Sequence, residues 1–193
     1  PSDFNGFVQD VLDLRSLQVQ QKGLALHRPQ TFDSMWVKGD GDKRKQVLLN
    51  IVYNAIKFTH TGSIVAKIDV VHEMDAEEDS AVVPAPRVSV TIQDTGIGID
   101  PKDQKKLFHP FVMVDGSHTR SYEGTGLGLA ISKNFMKLMG GSISLYSTGV
   151  DQGTAVTVSL PLLANHGESD DASQGGGEVS TTEQQILVGK ADI

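Results

Sequence analysis

Asp94-Thr-Gly-Ile-Gly98, Leu107-Phe-His-Pro-Phe111 and Glu123-Gly-Thr-Gly-Leu-Gly-Leu129 follow one another along the chain, and the reading of these stretches decides the fold. The first comes directly after Val88, Val90 and Ile92, whose alternation predicts a strand with one buried face. A carboxylate at that strand end can accept a hydrogen bond from an exocyclic amine, and Gly96 and Gly98 let backbone lie against a flat base. By itself the segment is equally an Asp turn that uses glycine for positive φ. In the third stretch Gly124, Thr125, Gly126, Leu127 and Gly128 open a helix running to Leu138, whose unpaired N–H groups and dipole favour phosphate. A dinucleotide fingerprint does not fit, because Leu129 stands where glycine is required and no strand precedes; the P-loop pattern fails as well.

Between these boxes, Val112 to Glu123 lacks periodicity and carries Thr119 and Arg120, as expected of a flexible lid. Phe108 and Phe111 are expected to anchor its base by packing. Arg120 is either a β- or γ-phosphate contact or a surface arginine.

Upstream, Asp42 to Phe58 reads as a helix with Asp42 as its cap. Asn50, Asn54 and Lys57 fall at i, i+4 and i+7 and share one stripe, opposite Leu48, Ile51, Val52 and Ala55. Amide oxygens suit a hard cation such as Mg²⁺ that keeps waters and bridges phosphates, while a lysine supplies a point charge. Taken alone the stripe is more often a plain solvated face; the glycine boxes reverse that in favour of the nucleotide reading.

Elsewhere, Asp3 or Asn5 is expected to cap a helix to about Gln21, and Leu24 to Val37 looks extended. Ile64, Ala66, Ile68 and Val70 form a strand partnered by Val88 to Ile92, with a solvated acidic loop between them. Asp100-Pro101 starts a short helix. Ile143 and Leu145 with Val156, Val158 and Leu160 read as a closing hairpin around Gly149 to Gly153, and Pro161 ends the folded region.

The organisation expected is one domain over 1–163, an acidic Gly/Ser-rich linker over 164–185, and over 186–193 the possible first strand of a following domain. The absence of an initiator Met before Pro1 suggests a piece of a longer protein. Of the net charge of −7, residues 164–193 carry six acids against Lys190, which is −5, leaving −2 for the rest. A nearly neutral domain predicts no nucleic-acid partner. No stretch is apolar enough to span a bilayer, so no membrane contact is expected of this piece. With no cysteine, disulfide and thiolate chemistry are excluded, and reducing, intracellular conditions are compatible. The histidines are not spaced as zinc ligands.

The set DKRKQVLLNIVYNAIKFT, DTGIGI, LFHPF, TRSYEGTGLGLAIS and GTAVTVSLPL resembles the catalytic and ATP-binding domain of sensor histidine kinases, within the GHKL group that includes gyrase, Hsp90 and MutL ATPases. The phrases NAIKFT and GTGLGLAI look most like the hybrid kinases. The resemblance implies an α/β two-layer sandwich of the Bergerat type, a mixed sheet backed by helices with an ATP lid. It implies Asn54 as the Mg²⁺-binding asparagine, assisted by Asn50, Lys57 as a phosphate contact and Asp94 as the adenine-recognising aspartate. Gly96 and Gly98 would be the first glycine box, Gly124, Gly126 and Gly128 the second, and Thr154 a residue lining the adenine pocket. ATP and Mg²⁺ are the implied cofactors. The implied partners are a dimerisation domain carrying the phosphoacceptor histidine and a response-regulator receiver domain, in a parent that is either membrane-bound or free.

Two departures stand out. Glu123 occupies a position where the family usually has glycine, and no H-E-x-R-T-P-like phosphoacceptor motif exists in the chain. The expected function is therefore transfer of the γ-phosphoryl of Mg-ATP to a histidine outside this chain; the alternative is a catalytically degenerate module that senses nucleotide or binds a partner.

Overall fold

The computed structural model describes residues 1–30, 35–71, 86–113 and 125–163. The linker, the C-terminal piece, the acidic loop, Thr119, Arg120, Glu123 and Gly124 lie outside the described residues.

Strands β1 (Ser2–Asp3) and β3 (Trp36–Val37) pair as a small antiparallel ribbon. The main sheet has five strands: β2 (Ala25–His27), β4 (Ser63–Val71), β5 (Arg87–Asp94), β6 (Ser142–Tyr146) and β7 (Thr154–Pro161), in the order β2-β4-β5-β7-β6. β2 runs parallel to β4 and every other neighbour is antiparallel, so the sheet is mixed. The expected pairing of the strands at Ile64 and Val88 holds, with Ile64 opposite Asp94 and Val70 opposite Val88.

Helices α1 (Phe4–Gln21), α2 (Gly41–Phe58) and α4 (Gly128–Leu138) form the second layer, and α3 (Pro101–Gln104) leads into a 3-10 turn at Lys105–Phe108. Phe4, Val8, Val11 and Leu12 of α1 and Val47, Leu48, Ile51, Val52 and Ala55 of α2 are buried with Ile64, Ala66, Ile68, Val88, Val90, Ile92, Val158 and Leu160 of the sheet. Each buried Val, Leu, Ile or Phe side chain among them is worth about 1.5–3 kcal/mol when withdrawn from water. The i, i+3, i+4 spacing of the helical members and the alternation of the strand members put them on one shared interface.

Local chemistry sets the element ends. The Asp3 carboxylate accepts from the N–H groups of Asn5 and Gly6, so Asp3 is the cap of α1 and Asn5 is inside the helix. Asp40, not Asp42, caps α2, accepting from the amides of Asp42 and Lys43; Asp42 falls in the first turn, where its charge complements the dipole. Asp100 caps α3 as expected, with Pro101 in the first turn. Two expectations are corrected. Within the described residues the extended stretch after Leu24 is strand only at Ala25–His27 and Trp36–Val37. Val70, near the end of β4, is exposed despite its place in the alternating set.

Candidate functional site

Asp94 ends β5 and is 7% exposed. Its Oδ1 accepts from the Gly96 N–H at 2.8 Å and from the Thr154 N–H at 3.3 Å. Thr154 is directly opposite Asp94 in the β5–β7 ladder, so the two residues are brought together by strand register. Burial pushes the Asp94 carboxyl above its ordinary range, and the Gly96 and Thr154 amides with the Thr59 hydroxyl pull it partly back. Both backbone donors meet Oδ1, which fixes how the carboxylate is held at the end of β5.

The loop after Asp94 is laced to its neighbours by backbone bonds. Ile97 N–H donates to Phe58 O at 3.1 Å, Gly153 N–H to Gly96 O at 3.1 Å, and Asp151 N–H to Ile97 O at 2.7 Å. Gly98 has φ +62, and a Cβ there would strike the Gly149 carbonyl, which is why this position needs glycine. Below it, the buried Ser147 hydroxyl donates to Gly153 O at 2.6 Å and its oxygen accepts from the Ile99 N–H at 3.0 Å.

The α2 stripe arrives at the same place from the other side. Asn50, Asn54 and Lys57 are all half-buried, and the buried face is the expected Leu48, Ile51, Val52 and Ala55. Asn50 Nδ2 donates to Ser132 Oγ at 3.1 Å, and Gly128 lies against the same amide. The Lys57 ammonium sits 5.0 Å from the Phe58 ring centroid. The carbonyls that end α2 are held by Lys22, whose Nζ donates to Ile56 O at 2.5 Å and Lys57 O at 3.0 Å. Thus α2 is the beam shared by both halves: its last residues carry the Asp94 loop and its middle contacts the start of α4. An open groove between Arg15 of α1 and the Lys45 to Tyr53 side of α2 touches this region only at Asn50.

The second glycine stretch is described from Thr125 onward, with Thr125 exposed and Gly126, Leu127 and Gly128 half-buried. Gly126 has φ +65 and accepts from the Phe111 N–H at 3.1 Å. The expectation that Phe111 packs is corrected: its side chain is 76% exposed and its φ is +63, so it contributes through its backbone. Phe108 is half-buried with the Lys133 ammonium 5.5 Å from its ring.

The donor set suits Mg²⁺ in one respect. Asn50 and Asn54 offer neutral amide oxygens one turn apart on α2, hard donors of the kind a Mg²⁺ that keeps waters and bridges phosphates would take. Thr59, Ser132, Ser147 and Lys22 were not singled out from the sequence. Only Thr59 carried a signal, its place immediately after α2.

Residues 39–164 match the family model described as "Histidine kinase-, DNA gyrase B-, and HSP90-like ATPase". The sensor histidine kinase GacS of Pseudomonas protegens is 37% identical over 172 residues, 89% of this chain and 18% of its own length. The aerobic respiration control sensor protein ArcB of Escherichia coli is 33% identical over 180 residues, again 89% of this chain and 21% of its own. The chain thus spans about a fifth of these relatives. The crystal structure of full-length ShkA in complex with AMPPNP is similar with a TM-score of 0.67 at 27% identity, over 86% of this chain and 31% of that one. No helix among the described residues is long and apolar enough to cross a membrane. A mixed sheet ending in a buried aspartate, an asparagine-lysine helix and a glycine-opened helix converge here with these likenesses, and the chain belongs to the histidine kinase-, DNA gyrase B- and HSP90-like ATPases, as the ATPase domain of the sensor histidine kinases.

Proposed function

We propose that this domain binds Mg-ATP and transfers its γ-phosphoryl group to a histidine on a separate dimerisation domain of the same parent protein, a hybrid kinase that passes the group on to a receiver domain inside the cell. The observation that carries the reading is the buried Asp94 carboxylate, fixed through Oδ1 by two backbone amides and, as a carboxylate, suited to accept from the adenine amine. Gly96, Gly98 and Thr154 shape the base pocket. Asn54 and Asn50 would hold Mg²⁺, which offsets phosphate charge. Lys57 and Arg120 would contact the phosphates, and Thr119, Gly124, Thr125, Gly126, Leu127 and Gly128 would bind the nucleotide with them.

In the transfer, the acceptor imidazole nitrogen forms a bond to the γ phosphorus while the bond to the β–γ bridging oxygen breaks; the imidazole N–H proton is released and ADP departs. The chain's own residues supply positioning and charge, not a nucleophile.

Calorimetry with ADP and ATP, with and without Mg²⁺, tests the binding half. Tight Mg²⁺-dependent binding that Asp94→Asn weakens at least tenfold is expected, and its absence in the parent chain would sink the proposal. Incubation with the partner dimerisation domain and radiolabelled ATP tests the transfer half. Label on histidine is expected; binding without transfer would instead indicate a degenerate nucleotide-sensing module.

A further inference from the structure

A buried hydroxyl on α4 faces the middle of the α2 stripe. Asn50 Nδ2 donates to Ser132 Oγ at 3.1 Å, and Ser132 is 2% exposed. One turn earlier on the same face of α4, Gly128 approaches so closely that a Cβ would collide with the Asn50 amide, lying 3.0 Å from both Cγ and Nδ2. The Asn50 amide is therefore seated between two positions of α4 spaced i, i+4.

A carboxamide has two ends of opposite chemistry, one donor and one acceptor, and a half-turn about its terminal bond exchanges them. Only the oxygen end can ligate a divalent cation. Ser132 Oγ accepts from the nitrogen end, and the oxygen end then lies over Gly128, the first residue of α4. We infer that Ser132 is a positioning residue for cation binding: it holds the Asn50 amide with Oδ1 turned to the start of α4, where the nucleotide phosphates and their Mg²⁺ would lie. Ser132 is buried and would act only through Asn50. The inference rests on the reading of the site as a Mg-nucleotide site and adds a residue through which α4 tunes it.

The test measures ADP affinity with and without Mg²⁺ by calorimetry, and follows the Asn50 side-chain amide resonance in the metal-free chain. Ser132→Ala removes the acceptor. Outer contacts of this kind typically alter metal affinity about 10- to 100-fold, so the Mg²⁺-dependent gain in ADP affinity falls by that factor while metal-free ADP affinity stays within about twofold. The amide resonance shifts, and Ser132→Thr, which keeps the hydroxyl, restores both readouts. A merely structural serine would weaken the two affinities together, and that result overturns the inference, as does an unchanged Mg²⁺ gain. Should Ser132→Ala fail to fold, Ser132→Cys carries the same test with a weak sulfur acceptor; an undiminished Mg²⁺ gain there overturns it. A parent chain that binds ADP without any Mg²⁺ gain rejects the reading of the site itself, and this inference with it.

Discussion

Thr154 donates its backbone N–H to the Asp94 carboxylate rather than leaving that side chain free at the end of the ladder, so strand register fixes the acceptor. Substituting Asp94→Asn keeps the shape and replaces an anionic acceptor by an amide. Hydrogen bonds to charged groups are worth about 1.5–3 kcal/mol, which corresponds to roughly a 10- to 100-fold loss of ADP affinity. Thermal unfolding checks that the variant is folded, and an undiminished affinity would remove Asp94 from the base pocket.

The same carboxyl gives a pH dependence with a definite sign. Burial raises its folded-state pKa above the unfolded value, so between those two values the folded state holds more protons and stability falls as pH rises. Above the folded pKa the cost is constant. ADP affinity should weaken on acidification earlier than an ordinary carboxylate near 3.8 would allow, and Asp94→Asn should abolish that dependence. Calorimetric titrations across mildly acidic pH read both; an affinity flat down to pH about 4 in the parent contradicts the assignment.

Gly23 and Gly98 share left-handed φ values of +70 and +62, yet nothing lies within 4 Å of a Cβ at Gly23 while the Gly149 carbonyl blocks one at Gly98. Gly23→Ala should cost about 1–2 kcal/mol from backbone conformation alone. Gly98→Ala should cost a further 1–3 kcal/mol, roughly, because backbone must shift. Denaturant unfolding of the pair separates conformational from steric cost, and equal losses would mean that the loop yields freely.

Lys22 joins the end of α1 to the last carbonyls of α2, and its ammonium is held at a pKa below the ordinary lysine value by partial burial. Lys22→Met keeps most of the apolar stem and removes the cap. A loss of about 1–2 kcal/mol is expected from the helix terminus. A Tm within one degree of the parent would show that water replaces the ammonium without cost.

The layer arrangement was legible because its signals are periodic. Leu48, Ile51, Val52 and Ala55 on one helix face and the alternation through Ile64 and Val88 survive in the structure as written in the chain. Asp94, Gly96 and Thr154 were legible as separate marks, and the register that joins them was not, since pairing across sixty positions of sequence carries no local signal. The cap of α2 was misread because Asp40 and Asp42 both suit a helix start, and only backbone geometry separates them. Phe111 was misread for a different reason: an aromatic residue is expected to bury, yet here the left-handed backbone turns the side chain outward. Ser132 and Ser147 look like any serine until their helix and turn are docked.

The bond from Phe111 N–H to Gly126 O ties the stretch that follows the 3-10 turn to the start of α4. A chain joining two points so fixed is lengthened at a cost of only about 0.6 kcal/mol per doubling, so insertions between Phe111 and Gly126 should burden the sheet and helices little. Length and charge between these two residues can thereby diverge, while Asp94 and Thr154 stay under the constraint of strand register.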